Sequence, residues 1–271
     1  MSTTRILSAI VLVVVVGGPI WWLPPWATLL LAAVAAAAAG TELAGLARPL
    51  GADVPRLFVA ASSAAACVAV GGPAALSITM GPEATSALLM GATIAGGLLV
   101  LAATPPGPPV FAAAAVMALA PVYVGLPLGA IAWIRAAVGP EALTWLVAVI
   151  AISDTAQYYA GTMLGRTKLS PIVSPKKTVE GAIGGLVAAP ITGAALGAIW
   201  LPGTPMVLAA MLAVVLAVVG IGGDLFESLL KRSVGAKDSS ALIPGHGGLL
   251  DRIDAYLFAA PVFYLYLRYL A

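Results

Sequence analysis

Between Gly222 and Asp254 the chain holds Asp224, Glu227, Lys231, Arg232, Lys237, Asp238, His246, Asp251, Arg252 and Asp254, although its 271 residues include only 13 Lys and Arg and 11 Asp and Glu. Such a concentration is a site, not a scatter. Asp224 and Glu227 are three residues apart, as are Asp251 and Asp254, so on a helix each pair points one way. Oxygen-only ligands of this kind suit a hard cation such as Mg²⁺, and a single His with a single Cys argues against structural zinc. Lys231, Arg232, Lys237 and Arg252 lie among the carboxylates and suit phosphate oxygens. His246, within Pro244, Gly245, His246, Gly247 and Gly248, sits on a flexible turn able to close backbone over a ligand. Carboxylates for metal, cations for phosphate and a glycine-rich turn together point to phosphoryl or nucleotidyl transfer, without a Walker-type P-loop.

Two upstream features extend this chemistry. Asp154 falls near the middle of an apolar run, where a carboxylate costs a few kcal/mol and should face a bundle interior or a polar cavity. Gln157, Tyr158, Gly161 and Gly165 follow on the same helical face, first polar and then small. The bland alternative is Asp154 as interhelical glue. In the connection Ser170 to Gly181, Pro175 ends one element, and Ser174, Lys176, Lys177 and Thr178 precede an apolar helix whose free N–H groups and dipole favour an anion. The alternative is that Lys176 and Lys177 anchor the loop to anionic lipid headgroups.

The elements that must position these residues are membrane helices. Apolar residues make up 61% of the chain, charged residues 9%, and the mean hydropathy is +1.06, against about 25% charged residues in a soluble domain. A hydrocarbon core about 30 Å thick needs about 20 apolar residues of helix. By that ruler nine spans fall near 6–23, 27–47, 57–78, 85–104, 109–135, 142–164, 179–201, 205–224 and 255–270. The expected fold is therefore an all-α polytopic bundle forming a single integral membrane domain over 1–271, since open strands would leave backbone groups unpaired in lipid. Pro121, Gly125 and Pro127 predict that the fifth span is kinked or split. The first, with Trp21, Trp22 and Trp26 behind it and no cleavage pattern, reads as a retained span with an aromatic belt, not a signal peptide.

Charge sets the expected orientation. With the N-terminus in the cytoplasm, Arg5, Arg48, Arg56, Arg166, Lys168, Lys176, Lys177, Lys231, Arg232, Lys237 and Arg252 face that side, and only Arg135 and Arg268 face the other. The expected location is the cell membrane, multi-pass, with the Gly222 to Asp254 segment facing cytoplasmic nucleotides. A net charge of +2 is too small for a nucleic-acid binder. Residues 1–140, Ala-rich and almost free of polar groups, read as scaffold, and 141–271 as the catalytic half. Gly181 with Gly185 and Gly193 with Gly197 are candidates for a homodimer face. Cys67, in an apolar run, reads as a buried and inert thiol.

The string Ser228, Lys231, Arg232, Lys237, Asp238, Pro244, His246, Gly247, Gly248, Asp251, Arg252, Asp254 resembles the signature of the phosphatidate cytidylyltransferases (CDP-diacylglycerol synthases): S-x-x-K-R-x4-K-D, about five residues, then P-x-H-G-G-x-x-D-R-x-D. Asp154, Tyr158, Gly161 and Gly165, and Ser174, Pro175, Lys177 and Thr178, also look like that family, so the resemblance runs from about 150 to 271. It implies an Mg²⁺-dependent reaction of CTP with phosphatidic acid in the lipid bilayer, giving CDP-diacylglycerol and pyrophosphate in phospholipid biosynthesis. By the family's pattern Asp224, Asp251 and Asp254 are the metal ligands. Asp154, Lys177, Lys231, Arg232, Lys237, Asp238, His246 and Arg252 are then expected in the catalytic machinery, with His246 on a phosphate or the leaving group and not abstracting a proton. Ser174, Lys176, Thr178, Glu227, Ser228, Gly247 and Gly248 are expected to bind substrate. Two other readings stay open: an ion-coupled transporter, motivated by Asp154 and Glu180 near or within spans, and a CTP-dependent lipid kinase, which would release CDP. The first is weakened by the lack of an inverted repeat.

Overall fold

Proline and the long apolar runs decide where the helices begin. Pro25, Pro82, Pro109 and Pro140 each stand at the start of one, where the ring presets φ and the missing N–H would have had no intrahelical partner. The computed structural model describes residues 14–243, 245 and 247–271. Its helices are α1 (residues 14–21), α2 (Pro25–Leu46), α3 (Arg56–Ala75), α4 (Pro82–Ala103), α5 (Pro109–Ala120), α6 (Leu126–Ala137), α7 (Pro140–Leu164), α8 (Val179–Trp200), α9 (Met206–Ser233) and α10 (Leu250–Tyr269). A short 3-10 turn, Arg48–Leu50, follows α2.

The bundle has two packed regions. In one, α2 packs on α3 and α3 on α6, around buried Ala36, Ala39, Val59, Cys67 and Val124. In the other, α7, α8, α9 and α10 pack in sequence around Trp145, Leu146, Leu216 and Phe263. Helix α10 belongs to both, sending Leu250 and Leu257 into the first core and Ala259 and Phe263 into the second. Cys67 is buried, as expected.

Six of the nine expected spans are borne out as helices long and apolar enough to cross a membrane: Pro25–Leu50, Arg56–Ala75, Glu83–Ala103, Pro109–Ala137, Val179–Trp200 and Met206–Ser233. The stretches 142–164 and 255–270 do form helices, α7 and α10, but these fall outside that set among the described residues. Asp154, Gln157, Tyr158 and Tyr159 dilute the first, and Asp251, Arg252, Asp254 and Arg268 the second. Of 6–23, the part before residue 14 lies outside the described residues. Trp21, Trp22 and Trp26 are exposed, as a belt requires.

The fifth span is divided, as expected, into two α-helices. A π-helical turn, Pro121–Gly125, joins α5 to α6, where Pro121 has no N–H to give the regular ladder. Gly125 ends the turn because a Cβ there would stand 2.5 Å from the Ser63 carbonyl of α3. The all-α expectation holds, with one small addition. Lys168–Ser170 (β1) and Ser174–Thr178 (β2) form an antiparallel hairpin, with Lys168 opposite Thr178 and Ser170 opposite Ser174. Pro175 lies inside β2 instead of ending an element, which a two-stranded ribbon tolerates because each strand is an edge.

The glycine pairs expected to mark a dimer face are spent inside the chain. A Cβ on Gly181 would stand 2.8 Å from the Gln157 carbonyl of α7, and one on Gly185 would strike Gln157 itself. Gly193 and Gly197 are closed in by Ala209 and Ala213 of α9, and all four glycines are buried.

The ends of the bundle differ in charge. Arg135 donates to the Ile20 carbonyl at 2.5 Å and the Leu23 carbonyl at 3.2 Å, and the Arg268 guanidinium lies 5.6 Å from the centre of the Trp133 ring. These two arginines share one end. The junction of α9 with α10 lies at the other, about 30 Å away along the 20 residues of α10.

A carboxylate and lysine cluster at the helix ends

Four elements converge on the candidate site: the second half of α7, the hairpin, the last three turns of α9 and the first two turns of α10. Their approach depends on small residues. A Cβ on Gly223 would stand 2.6 Å from the Asp254 carbonyl, so glycine there lets α9 touch the backbone of α10 and sets Asp224 beside Asp254. Gly161 of α7 and Gly165, which caps its end, do the same for the hairpin, where any side chain would meet Thr178. Thr178 is buried and caps α8, its hydroxyl accepting from the Gly181 N–H at 3.1 Å. This cap fixes Lys177 one residue earlier.

Lys177 Nζ lies 2.6 Å from Asp224 Oδ2, and the Ser228 hydroxyl donates to Asp224 Oδ1 at 3.3 Å. One helical turn on, Lys231 joins two acids. It pairs with Glu227 on its own helix and reaches Asp251 Oδ1 of α10 at 2.6 Å. Glu227 is wholly buried and Lys231 is 8% exposed, so this triad stands where an unpaired charge would be very costly.

Asp251 is the most heavily engaged of the acids. Besides Lys231 it accepts from the Ser239 N–H at 3.0 Å, the Ser239 hydroxyl at 3.1 Å and the Gly248 N–H at 2.7 Å. Burial alone would push its carboxyl up, but Lys231 and these donors outweigh it and hold the group at about 2. Gly247, in the left-handed region at φ +79°, turns the chain so that the Gly248 amide aims at Asp251.

Asp154 and Asp254 complete the acidic group. Gln157 donates to Asp154 Oδ1 at 2.9 Å, and Asp154 interacts electrostatically with Lys177 and Asp224. Asp154 is exposed, so of the two placements expected for it the sealed bundle interior is excluded. Asp254 interacts with Asp224, Lys177 and Lys231, and its Oδ1 accepts from the neighbouring Ala255 N–H at 2.8 Å.

Other expected site residues lie apart from this cluster. Arg232 is exposed and turns back to the Ala236 carbonyl at 2.7 Å, closing the end of α9. Lys176, Lys237, Asp238 and Arg252 are exposed, with no ion pair among the described residues. Ser174 opens β2 opposite Ser170. His246 and Pro244 lie outside the described residues.

Two residues of the expected scaffold reach the site. Glu42 of α2 is buried and takes hydrogen bonds from residues 239–250. Tyr123, in the π turn, is 6% exposed, packs edge-on against Phe226 and Phe258, and feels Glu227, Asp254 and Asp224. Its hydroxyl has no hydrogen-bond partner among the described residues. The reasoning that singled out Asp154, a lone carboxylate in an apolar run, would have found Glu42 as well. For Tyr123 the only signal was its place between Pro121 and Gly125.

Carboxylates outnumber ammonium groups in the cluster, and that excess favours a cation. Among the described residues, though, no three Asp, Glu, His or Cys side chains stand close enough together to hold a metal ion. The expected triad Asp224, Asp251 and Asp254 is thus not assembled around one point, because Asp251 is turned to Lys231, Ser239 and Gly248. A magnesium ion that keeps waters and shares phosphate oxygens needs only one or two protein carboxylates. Asp224 and Asp254 fit that need.

The chain has known relatives. The sequence pattern of the "Cytidylyltransferase family" matches residues 3–270. The chain is 44% identical over 122 residues to a phosphatidate cytidylyltransferase of Helicobacter pylori, covering 45% of each. It is 47% identical over 121 residues to that of Synechocystis sp., covering 44% of this chain and 40% of the relative. For that of Bacillus subtilis it is 42% identical over 119 residues, covering 44% of each. The chain thus spans about half the length of the curated relatives it matches.

Proposed function

The chain belongs to the cytidylyltransferase family, and from that premise we propose that it transfers the cytidylyl group of CTP to phosphatidic acid, giving CDP-diacylglycerol and pyrophosphate. The observation that carries the reading is the gathering of Lys177 with Asp224, and of Lys231 with Glu227 and Asp251, at one end of the bundle. Residues far apart in sequence meet there in the mixture of charges that two phosphate-bearing substrates need.

The phosphomonoester of phosphatidic acid, with a second pKa near that of phosphoserine at about 6, is largely dianionic at neutral pH. Its oxygen therefore needs no general base. That oxygen attacks the α-phosphorus of CTP, a new P–O bond forms, and the bond to the β-phosphate bridging oxygen breaks, so pyrophosphate leaves in line with the electron pair. The protein's work is to hold two anions together. Lys177, on the rigid end of the hairpin, and Lys231, on α9, supply fixed positive charge, with Arg232, Lys237 and Arg252 at the exposed rim and His246 on a phosphate or the leaving group. Ser174, Lys176, Thr178, Glu227, Ser228, Gly247 and Gly248 line or shape the substrate space. Asp224 and Asp254 would hold Mg²⁺, with Asp251 joining them only if a substrate phosphate drew Lys231 away from it, and the ion would neutralise charge on the CTP phosphates. Asp154, exposed on α7, marks the deep edge of a polar recess open sideways to lipid.

The proposed orientation has nine spans, with α7 and α10 carried across by their neighbours, the N-terminus and the cluster in the cytoplasm, and Arg135 with Arg268 on the far side. A homodimer is compatible with this reading but uses a surface other than the buried glycine pairs.

The test is to incubate the purified protein in detergent with phosphatidic acid, Mg²⁺ and each of the four nucleoside triphosphates. The expected result is CDP-diacylglycerol and pyrophosphate with CTP alone. Release of CDP would make the protein a lipid kinase, and consumption of none of the four would overturn the assignment.

A further inference from the structure

Glu42 has no part in the reaction as described. It projects from the Ala-rich α2, is 6% exposed, and is met by neutral donors only. Its Oε1 accepts from the Ser240 hydroxyl at 2.6 Å and the Leu249 N–H at 3.0 Å. Its Oε2 accepts from the Leu250 N–H at 2.7 Å and the Ser239 hydroxyl at 3.1 Å.

The socket is fitted to a carboxylate. The Leu249 and Leu250 amides open α10, where the first N–H groups have no intrahelical acceptor and the dipole favours negative charge. Helix α10 has no side-chain cap of its own, so Glu42 provides one from nearly the other end of the sequence. Gly248 leaves room for it: a Cβ there would strike the Ser239 hydroxyl and stand 2.8 and 2.9 Å from the two Glu42 oxygens. The Ser239 hydroxyl also stands 3.1 Å from Asp251 Oδ2, so one side chain links Glu42 to Asp251.

We propose that Glu42 is a positioning residue of the transfer site, fixing Ser239, Ser240 and the start of α10 so that Asp251 is held for Mg²⁺ and substrate. The inference rests on the assignment of Asp251 to that site. It acts through Ser239 and the α10 amides, and Glu42 itself touches no reactant.

Glu42→Gln is the sharpest test. Because each oxygen takes one backbone N–H, the isosteric amide must turn its NH₂ against either Leu249 or Leu250, so at least one bond to a charged acceptor is lost. Two quantities are measured on the full-length protein in detergent: the Mg²⁺ concentration giving half-maximal rate, and hydrogen exchange at the Leu249 and Leu250 amides. Each is expected to rise about tenfold or more. A merely structural role would raise the exchange and leave the Mg²⁺ dependence unchanged, and that result, like unchanged exchange, overturns the proposal. Should the variant fail to fold, Ser240→Ala removes one donor of four and is expected to raise both about threefold, no change in either again overturning it. If the unaltered protein makes no pyrophosphate, the transfer reading falls, and exchange at the two amides alone decides whether Glu42 holds the segment.

Discussion

The two halves of the chain keep their buried charge in different ways. Up to Ala137 the core mixes many alanines with Leu, Val and Met, and the buried carboxylate, Glu42, is satisfied by amides and hydroxyls. From Pro140 onward the helices pack as tightly, yet all three ion pairs among the described residues lie there, between Lys177 and Asp251. The difference is one of exchangeability. An amide-bound carboxylate has nothing to give up to a ligand, whereas an ammonium paired to a carboxylate releases its partner when a phosphate or a cation arrives. Among the pairs the same contrast recurs: Lys177 and Asp224 are 21% and 34% exposed, while Lys231, Glu227 and Asp251 are 10% or less. The open pair is suited to meet substrate first, and the closed triad to open only once a phosphate has bound.

That contrast breaks or stands on a graded set of changes. Asp251→Asn carries the largest expected effect, a loss of turnover of at least about 100-fold with folding and membrane insertion intact, measured as pyrophosphate release. Near-normal activity would sink the metal assignment. Lys231→Met strands the wholly buried Glu227 and is expected to cost about 3–5 kcal/mol, read as a lower unfolding midpoint in detergent, part of which Glu227→Gln in the same chain restores. Lys177→Ala, at the half-exposed pair, is expected to change stability by less than about 1 kcal/mol but to raise KM for CTP about tenfold. A stability loss as large as that of Lys231→Met would erase the distinction between open and closed pairs. Least of all, Phe111→Ala, on the outer face of α5 and 84% exposed, should leave rate and stability within about twofold and 0.5 kcal/mol.

Much of this was legible in the sequence because it is local. Hydropathy found the long helices, and the three-residue spacings of Asp224 with Glu227 and of Asp251 with Asp254 pointed to one site, since neighbouring turns of a helix place such residues together. What lay hidden is long-range. Glu42 meets its donors about 200 positions away, and an Ala-rich segment gives no local hint of them. The spacing of Gly181, Gly185, Gly193 and Gly197 announced close helix contact without saying whether the partner is a second chain or, as found, α7 and α9. The apolar runs at 142–164 and 255–270 announced the helices α7 and α10, but their charged and polar residues keep both outside the set long and apolar enough to cross a membrane.

The wide turn at Pro121–Gly125 carries one more consequence. A π turn holds one residue beyond the regular count, so everything after it is rotated relative to everything before it. Removing a single residue from that turn would shorten the rod by only about 1.5 Å but swivel its far portion by about 100°. Arg135 would swing off the carbonyls of Ile20 and Leu23, and Trp133 out from under Arg268. Phase, more than length, is what that segment conserves between the two leaflets.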